Sequence, residues 1–90
     1  MYRDLKIGDI VRHFKYETLS IEDKKLNKYL YCIKDFAEHT ETKESMVVYQ
    51  ALYSPFKVYV RPAEMFFSKV DTDKYPDIKQ EFRFCKHSLK

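Results

Sequence analysis

The chain has no tryptophan, one glycine, three prolines and two cysteines in 90 residues. So little glycine and proline excludes low-complexity and collagen-like chains, and leaves few places where the backbone is forced to turn. Two cysteines, Cys32 and Cys85, are too few for a disulfide framework, and free thiols are expected, as in a cytoplasmic protein. No apolar run approaches the ~18–20 residues of a membrane span, and Met1 to Lys6 lacks the apolar centre of a signal peptide. A cytoplasmic domain that does not enter a membrane is the expectation. Charge of one sign is also scarce, since 17 basic and 14 acidic residues leave a net charge of +3. Such a balance permits contact with nucleic acid without arguing for it, because dedicated DNA binders carry a denser basic stripe.

What the chain has in quantity is aromatic side chains, eight Tyr and seven Phe. A domain of this length buries only about 60–65% of its unfolded surface, so large rings are needed first as core. Residues 1–90 read as one domain with its core over about 8–84.

The most strand-like stretch is Ser45 to Tyr53, rich in Val and Tyr, free of Gly and Pro, and stopped by Ser54-Pro55. Its two faces carry Met46, Val48, Gln50 and Leu52 on one side and Val47, Tyr49, Ala51 and Tyr53 on the other. Phe56 to Arg61 alternates and pairs with it as an antiparallel hairpin. The aliphatic set Met46, Val48 and Leu52 is expected to face the core, with Gln50 hydrogen-bonded among them and the tyrosines outward; a one-residue change of register would reverse this. Asp9 to Phe14, after the Gly8-Asp9 turn, reads as a first strand, and Glu81 to Cys85 as a closing one. Pro62 ends the hairpin ladder and starts a short helical turn over Ala63 to Phe67. Ser20 and Asp23 form a weak capping box for another turn from Ile21. Leu26, Tyr29, Leu30, Ile33, Phe36 and Ala37 fit helical spacing, while Tyr29 to Ile33 is made of strand-preferring residues; periodicity leaves both open. Lys86 to Lys90 reads as a frayed basic tail.

His13-Phe14-Lys15, then Ala37-x-His39-Thr40-Glu41-Thr42, then Val47 to Tyr53, Val60-Arg61-Pro62, Met65-Phe66, Val70 and Arg83-Phe84 form a recognisable order. In it the chain resembles the bacterial domain-of-unknown-function family 1653 from about Gly8 to Phe84. The resemblance implies a small SH3-like β-barrel without an established activity. Together with the strands and turns read above, the expected fold is mainly β, a small SH3-like barrel of about five antiparallel strands with a short helical turn after Pro62. It also implies that Tyr31, Ile33, Phe36 and Ala37 lie on a second strand leading into the His-x-Glu-Thr turn. The chain departs from the family in a longer insertion, about 16–28, and in having Val58-Tyr59 where a Trp-Val pair is frequent.

His13, Cys32, His39, Cys85 and His87 lack the paired spacing of a metal site, and no glycine-rich phosphate loop is present, so neither metal nor cofactor is expected. His39 and Glu41 place an imidazole near a carboxylate, an acid–base pair in principle, but such residues also cap turns. Tyr49, Tyr53, Tyr59 and Arg61 interleave rings and charge on the central hairpin, and Arg83 sits between two phenylalanines. Three functions follow as expectations. The first is a binding module whose Tyr/Arg surface, edged by His39, takes a protein, a peptide or single-stranded nucleic acid. The second is a small-molecule-binding domain or enzyme acting on an anionic ligand through His39, Glu41 and Arg61. The third is a homodimer that buries the tyrosine face.

Overall fold

Residues 5–88 are described by a computed structural model; residues 1–4 and the last two of the basic tail lie outside that range. Gly8, with φ +94°, makes the turn that launches the first strand, and its N–H bonds the Ile33 carbonyl at 2.8 Å. The chain then runs β1 (Ile10–His13), a 3₁₀ turn (Phe14–Thr18), α1 (Ile21–Lys25), β2 (Leu30–Glu38), β3 (Ser45–Ala51), β4 (Val58–Pro62), α2 (Ala63–Phe66) and β5 (Phe84–Lys86). The strands form one antiparallel sheet in the order β4-β3-β2-β1-β5. The domain is therefore mainly β and five-stranded, with the short helical turn after Pro62 that the sequence led us to expect. Pro62 itself still pairs with Met46 and acts as the residue before the helix rather than its first member.

The Tyr29–Glu38 ambiguity resolves as strand from Leu30 onward, while Ser20 does cap α1 as one half of the expected box: its hydroxyl accepts the Asp23 N–H at 3.2 Å. A bulge at Lys34, between the pairs Ile33–Tyr49 and Asp35–Val48, shifts the alternation by one. Tyr31, Ile33 and then Phe36 thereby all turn to the same side of the sheet.

That side is the core, and here one expectation is reversed. Val47, Tyr49 and Ala51 are buried, whereas Met46, Val48 and Gln50 are half-buried on the outer face. Their partners Val58 and Val60 are each 59% exposed. The cause lies in elements distant in sequence. Ala63 and Phe66 fold back over the odd-numbered face of β3, and Phe84 arrives on β5, so the Tyr49 ring meets Phe66 at 5.2 Å and Phe84 at 5.5 Å. Gln50 is pinned after all, but on the outside, where its amide donates to the Phe56 carbonyl at 3.0 Å.

Phe66 and Phe84 stack with ring centres 4.2 Å apart and planes within 7°. Phe66 follows the edge strand β4 and Phe84 lies on the opposite edge strand β5, so this stack draws the two edges together and curls the sheet into a barrel-like shape. Each fully buried ring stabilises the fold by roughly 2–3 kcal/mol relative to exposure. The long loop before β5 is tied down by the Glu17 carboxylate, which accepts N–H bonds from Lys79 and Gln80 at 2.6–3.1 Å. The chain also stays ordered beyond the expected tail boundary: Lys86 ends β5 and the His87 N–H bonds the Ile10 carbonyl at 2.8 Å.

Candidate functional site

Alternation on β3 and β4 puts Tyr49, Tyr59 and Arg61 on the concave face, where Tyr49 stands opposite Tyr59 with rings 5.7 Å apart. Tyr53, just past β3, reaches the same place. Tyr31 on β2 joins them: its ring lies 5.3 Å from Tyr49, 5.7 Å from Tyr53 and 6.3 Å from Tyr59. The Tyr31 and Tyr53 hydroxyls are 2.8 Å apart. Burial first, then the bond to Tyr53 and the neighbouring Tyr49 and Tyr59 phenols, raise the Tyr31 pKa well above that of an ordinary tyrosine. Its hydroxyl stays protonated at any physiological pH and remains both donor and acceptor. Tyr49 is only 4% exposed and serves as the floor of this cluster, while Tyr59, 39% exposed, forms its open rim.

Two guanidinium groups border the cluster. Arg61 Nε donates to the Tyr49 hydroxyl at 3.2 Å, and Arg83 Nε donates to the Ser68 hydroxyl at 3.3 Å. Both arginines are half-buried, and among the described residues neither has a carboxylate within 4 Å. Lys15 has none either; its ammonium lies 5.8 Å from the centre of the Tyr75 ring. Among the described residues, no acid within 4 Å neutralises this positive charge.

His13, which composition and spacing alone did not single out for this face, stands among these groups. It lies on the inner side of β1, against the rings of Phe14 (4.3 Å), Phe84 (5.2 Å) and Tyr29 (5.6 Å). Its Nδ1 accepts the Lys15 backbone N–H at 3.1 Å. Burial lowers its pKa to about 4, helped by the positive charges of Arg83, Lys15 and Arg61. The imidazole is thus neutral at pH 7 with its proton on Nε2, and among the described residues that N–H has no protein acceptor. The signal available in the sequence was the alternation of β1, which sets His13 on the same face as Val11.

Beside the tyrosines a groove of about 390 Å³ opens between Leu19, Asp23, Lys28, Tyr29 and Tyr53. The inserted segment builds one of its walls. Asp23 and Lys28 are paired across 3.4 Å, so that wall is close to neutral.

His39 and Glu41 are placed elsewhere. They form the β2–β3 turn, in which His39 Nδ1 accepts the N–H groups of Glu41 and Thr42 at 3.1 and 3.3 Å. β2 and β4 lie on either side of β3, about two strand spacings or ~10 Å apart. Arg61, opposite Val47, bonds Tyr49 rather than reaching that turn. The structure thus brings together Tyr49, Tyr53, Tyr59 and Arg61, sets Arg83 beside His13, and gives His39 and Glu41 to the hairpin tip.

Among the described residues no three His, Cys, Asp or Glu side chains gather as metal ligands, and no helix is long and apolar enough to cross a membrane. Cys32 and Cys85 are free.

A family model described as protein of unknown function, DUF1653, matches residues 9–86, most of the chain. The chain belongs to the DUF1653 family. The match spans every strand of the sheet and every residue of the tyrosine and arginine cluster, from His13 to Phe84. No curated protein and no solved structure matches this DUF1653 chain.

Proposed function

We propose that this DUF1653 domain is a binding module that recognises an anionic partner through the tyrosine and arginine face of its curled sheet. One observation carries the reading: Arg61 and Arg83 are half-buried, each is oriented by a hydroxyl at Nε, and neither has a carboxylate partner among the described residues. A guanidinium withdrawn from water and left unpaired costs free energy that a purely structural arginine recovers from an acid. Here the recovery is left to a ligand. Hydroxyls of Tyr31, Tyr53 and Tyr59 and the Nε2–H of His13 add neutral donors, so the face favours an acceptor-rich group. The strand order, with α2 between the last two strands, supports reading the barrel as SH3-like, and the two free thiols support a reducing, cytoplasmic setting.

The test uses defined probes. Inorganic phosphate, a single-stranded oligonucleotide and an acidic peptide are titrated into the full chain, into Tyr59→Ala and into Arg61→Gln/Arg83→Gln. At least one probe is expected to bind, more weakly as salt rises, and the arginine variant should lose it. A folded arginine variant that binds every probe as the wild type does would end the reading.

A different observation favours self-association as a second reading. Val58 and Val60 on the outer side of edge strand β4, and Phe56 in the turn before it, are each more than half exposed. Sedimentation that stays monomeric at high concentration refutes it.

A further inference from the structure

The groove and the cationic face share their tyrosines, and that continuity narrows the ligand. Tyr29 lines the groove and also packs against His13 at 5.6 Å. Tyr53 lines the groove and bonds Tyr31, which leads on to Tyr49 and so to Arg61. We infer that the site takes a phosphorylated planar ring of nucleotide type, with the ring in the groove against Tyr29 and Tyr53 and the phosphate on the side of Arg61, Arg83 and His13. The inference rests on the anion-binding reading above and adds the ring and the phosphate to it.

Three features select this chemistry. The groove, about 390 Å³, falls in the range of small-molecule sites and is lined by two phenol rings, a side-chain type that stacks planar groups without demanding one particular base. The Asp23–Lys28 pair, also in the lining, offers an acceptor and a donor to the edge of a heterocycle. The charge at the other end is at least that of two guanidiniums with Lys15 nearby, none of them paired with an acid among the described residues. A carboxylate would leave most of that charge uncompensated; a phosphate carries close to two negative charges at pH 7 and offers three acceptor oxygens. His13 suits the same group, because a neutral imidazole with a free Nε2–H donates to a phosphate oxygen.

The ring-bearing phosphate has two sources, a free mononucleotide or the 5′-phosphorylated end of a single strand. The experiment titrates the full chain with nucleoside 5′-monophosphates, the matching nucleosides, inorganic phosphate, and one short oligonucleotide with and without its 5′-phosphate. The readout is calorimetric heat, which registers binding of each probe without a label. A monophosphate is expected to bind about tenfold or more tighter than either the nucleoside or phosphate alone. Losing a charge-assisted contact in Arg61→Gln should weaken it by about 10–100-fold. Tyr29→Ala should bring it down to the level of inorganic phosphate. Arg83→Gln serves as a second variant should Arg61→Gln fail to fold, since Tyr49 loses its partner there.

A phosphorylated oligonucleotide that outbinds the free nucleotide assigns the site to strand ends; equal affinity assigns it to free nucleotides. Phosphate that binds through Arg61 with no gain from the ring overturns the inference and leaves the anion reading standing. Absence of any saturable monophosphate binding also overturns it, while the acidic-peptide probe still decides the broader reading.

Discussion

His13→Asn separates the electrostatics of the site from its packing. In the folded domain the imidazole faces Phe14, Tyr29 and Phe84, with Arg83, Lys15 and Arg61 near enough to oppose its protonation and, among the described residues, no carboxylate to favour it. Its pKa falls from 6.5 to about 4. Between those values the unfolded chain binds a proton that the folded chain refuses, so stability is fully present above about pH 6.5 and declines as pH falls toward 4. A shift of that size corresponds to about 3 kcal/mol at full strength, and because part of the ring still meets solvent, about 2 kcal/mol is the expected share. Asparagine keeps an acceptor where Nδ1 takes the Lys15 N–H but does not titrate. It leaves a small void that costs about 1–2 kcal/mol at every pH. The assay is a pair of urea unfolding curves, at about pH 7 and about pH 4.5, for wild type and variant. Wild type should lose about 2 kcal/mol more than the variant on acidification. His87, also lowered by burial and by Arg12, acts in the same direction in both proteins and cancels from the comparison. Identical acid slopes in the two proteins would refute the claim that His13 is held neutral by this site.

Two further perturbations probe the parts that hold the site in place. Tyr31→Phe and Tyr53→Phe each remove one side of a 2.8 Å hydroxyl pair; each should cost about 1 kcal/mol, with a coupling of about 0.5–1.5 kcal/mol in the double-mutant cycle, and strict additivity would show that the bond contributes nothing. Glu17→Ala frees the Lys79 and Gln80 N–H groups; it should cost about 1–2 kcal/mol and speed hydrogen exchange at those two amides while leaving β3 protected, and unchanged exchange there would refute the tether.

Much of this fold was legible because local chemistry agreed with it. The breaker at Ser54-Pro55, the alternation of Phe56 to Arg61, Pro62 before a helical turn and the Ser20 cap each describe a few neighbouring residues, and the structure keeps them, with the strand beginning at Val58 rather than Phe56. The face of β3 that turns inward was not legible from its own residues. Both sides of Met46–Tyr53 are apolar, so the alternation carries no vote, and the deciding groups, Phe66 and Phe84, come from far along the chain. The same reasoning divides the site. Tyr49, Tyr59 and Arg61 share a face by strand periodicity, so the sequence alone brought them together. His13 and Tyr31 join only through the pairing of β1 with β2 and β5, and Tyr31 sat in a run that fitted helix and strand alike. His39 and Glu41 drew attention because a histidine near a carboxylate can serve as an acid–base pair; in the folded chain the imidazole nitrogen accepts two backbone N–H bonds of a turn.

The reversal at β3 also explains how so small a domain has a site at all. Had Met46, Val48 and Leu52 filled the interior, the tyrosines would have stood on an open outer surface with their hydroxyls in water. With Tyr49 and Tyr31 inward, the rings supply the apolar area that a short chain needs, while the Tyr31 hydroxyl keeps Tyr53 as its partner and the Tyr49 hydroxyl accepts from Arg61 Nε. Arg61 itself stays half-buried with its Nε oriented by Tyr49. Core and candidate site are thus built from the same side chains at different atoms. A phenylalanine at Tyr31 keeps the ring and removes the site's contribution, whereas an alanine at Tyr49 removes both. At the two buried tyrosines, Tyr31 and Tyr49, only substitutions that preserve the ring can report on binding without first reporting on folding.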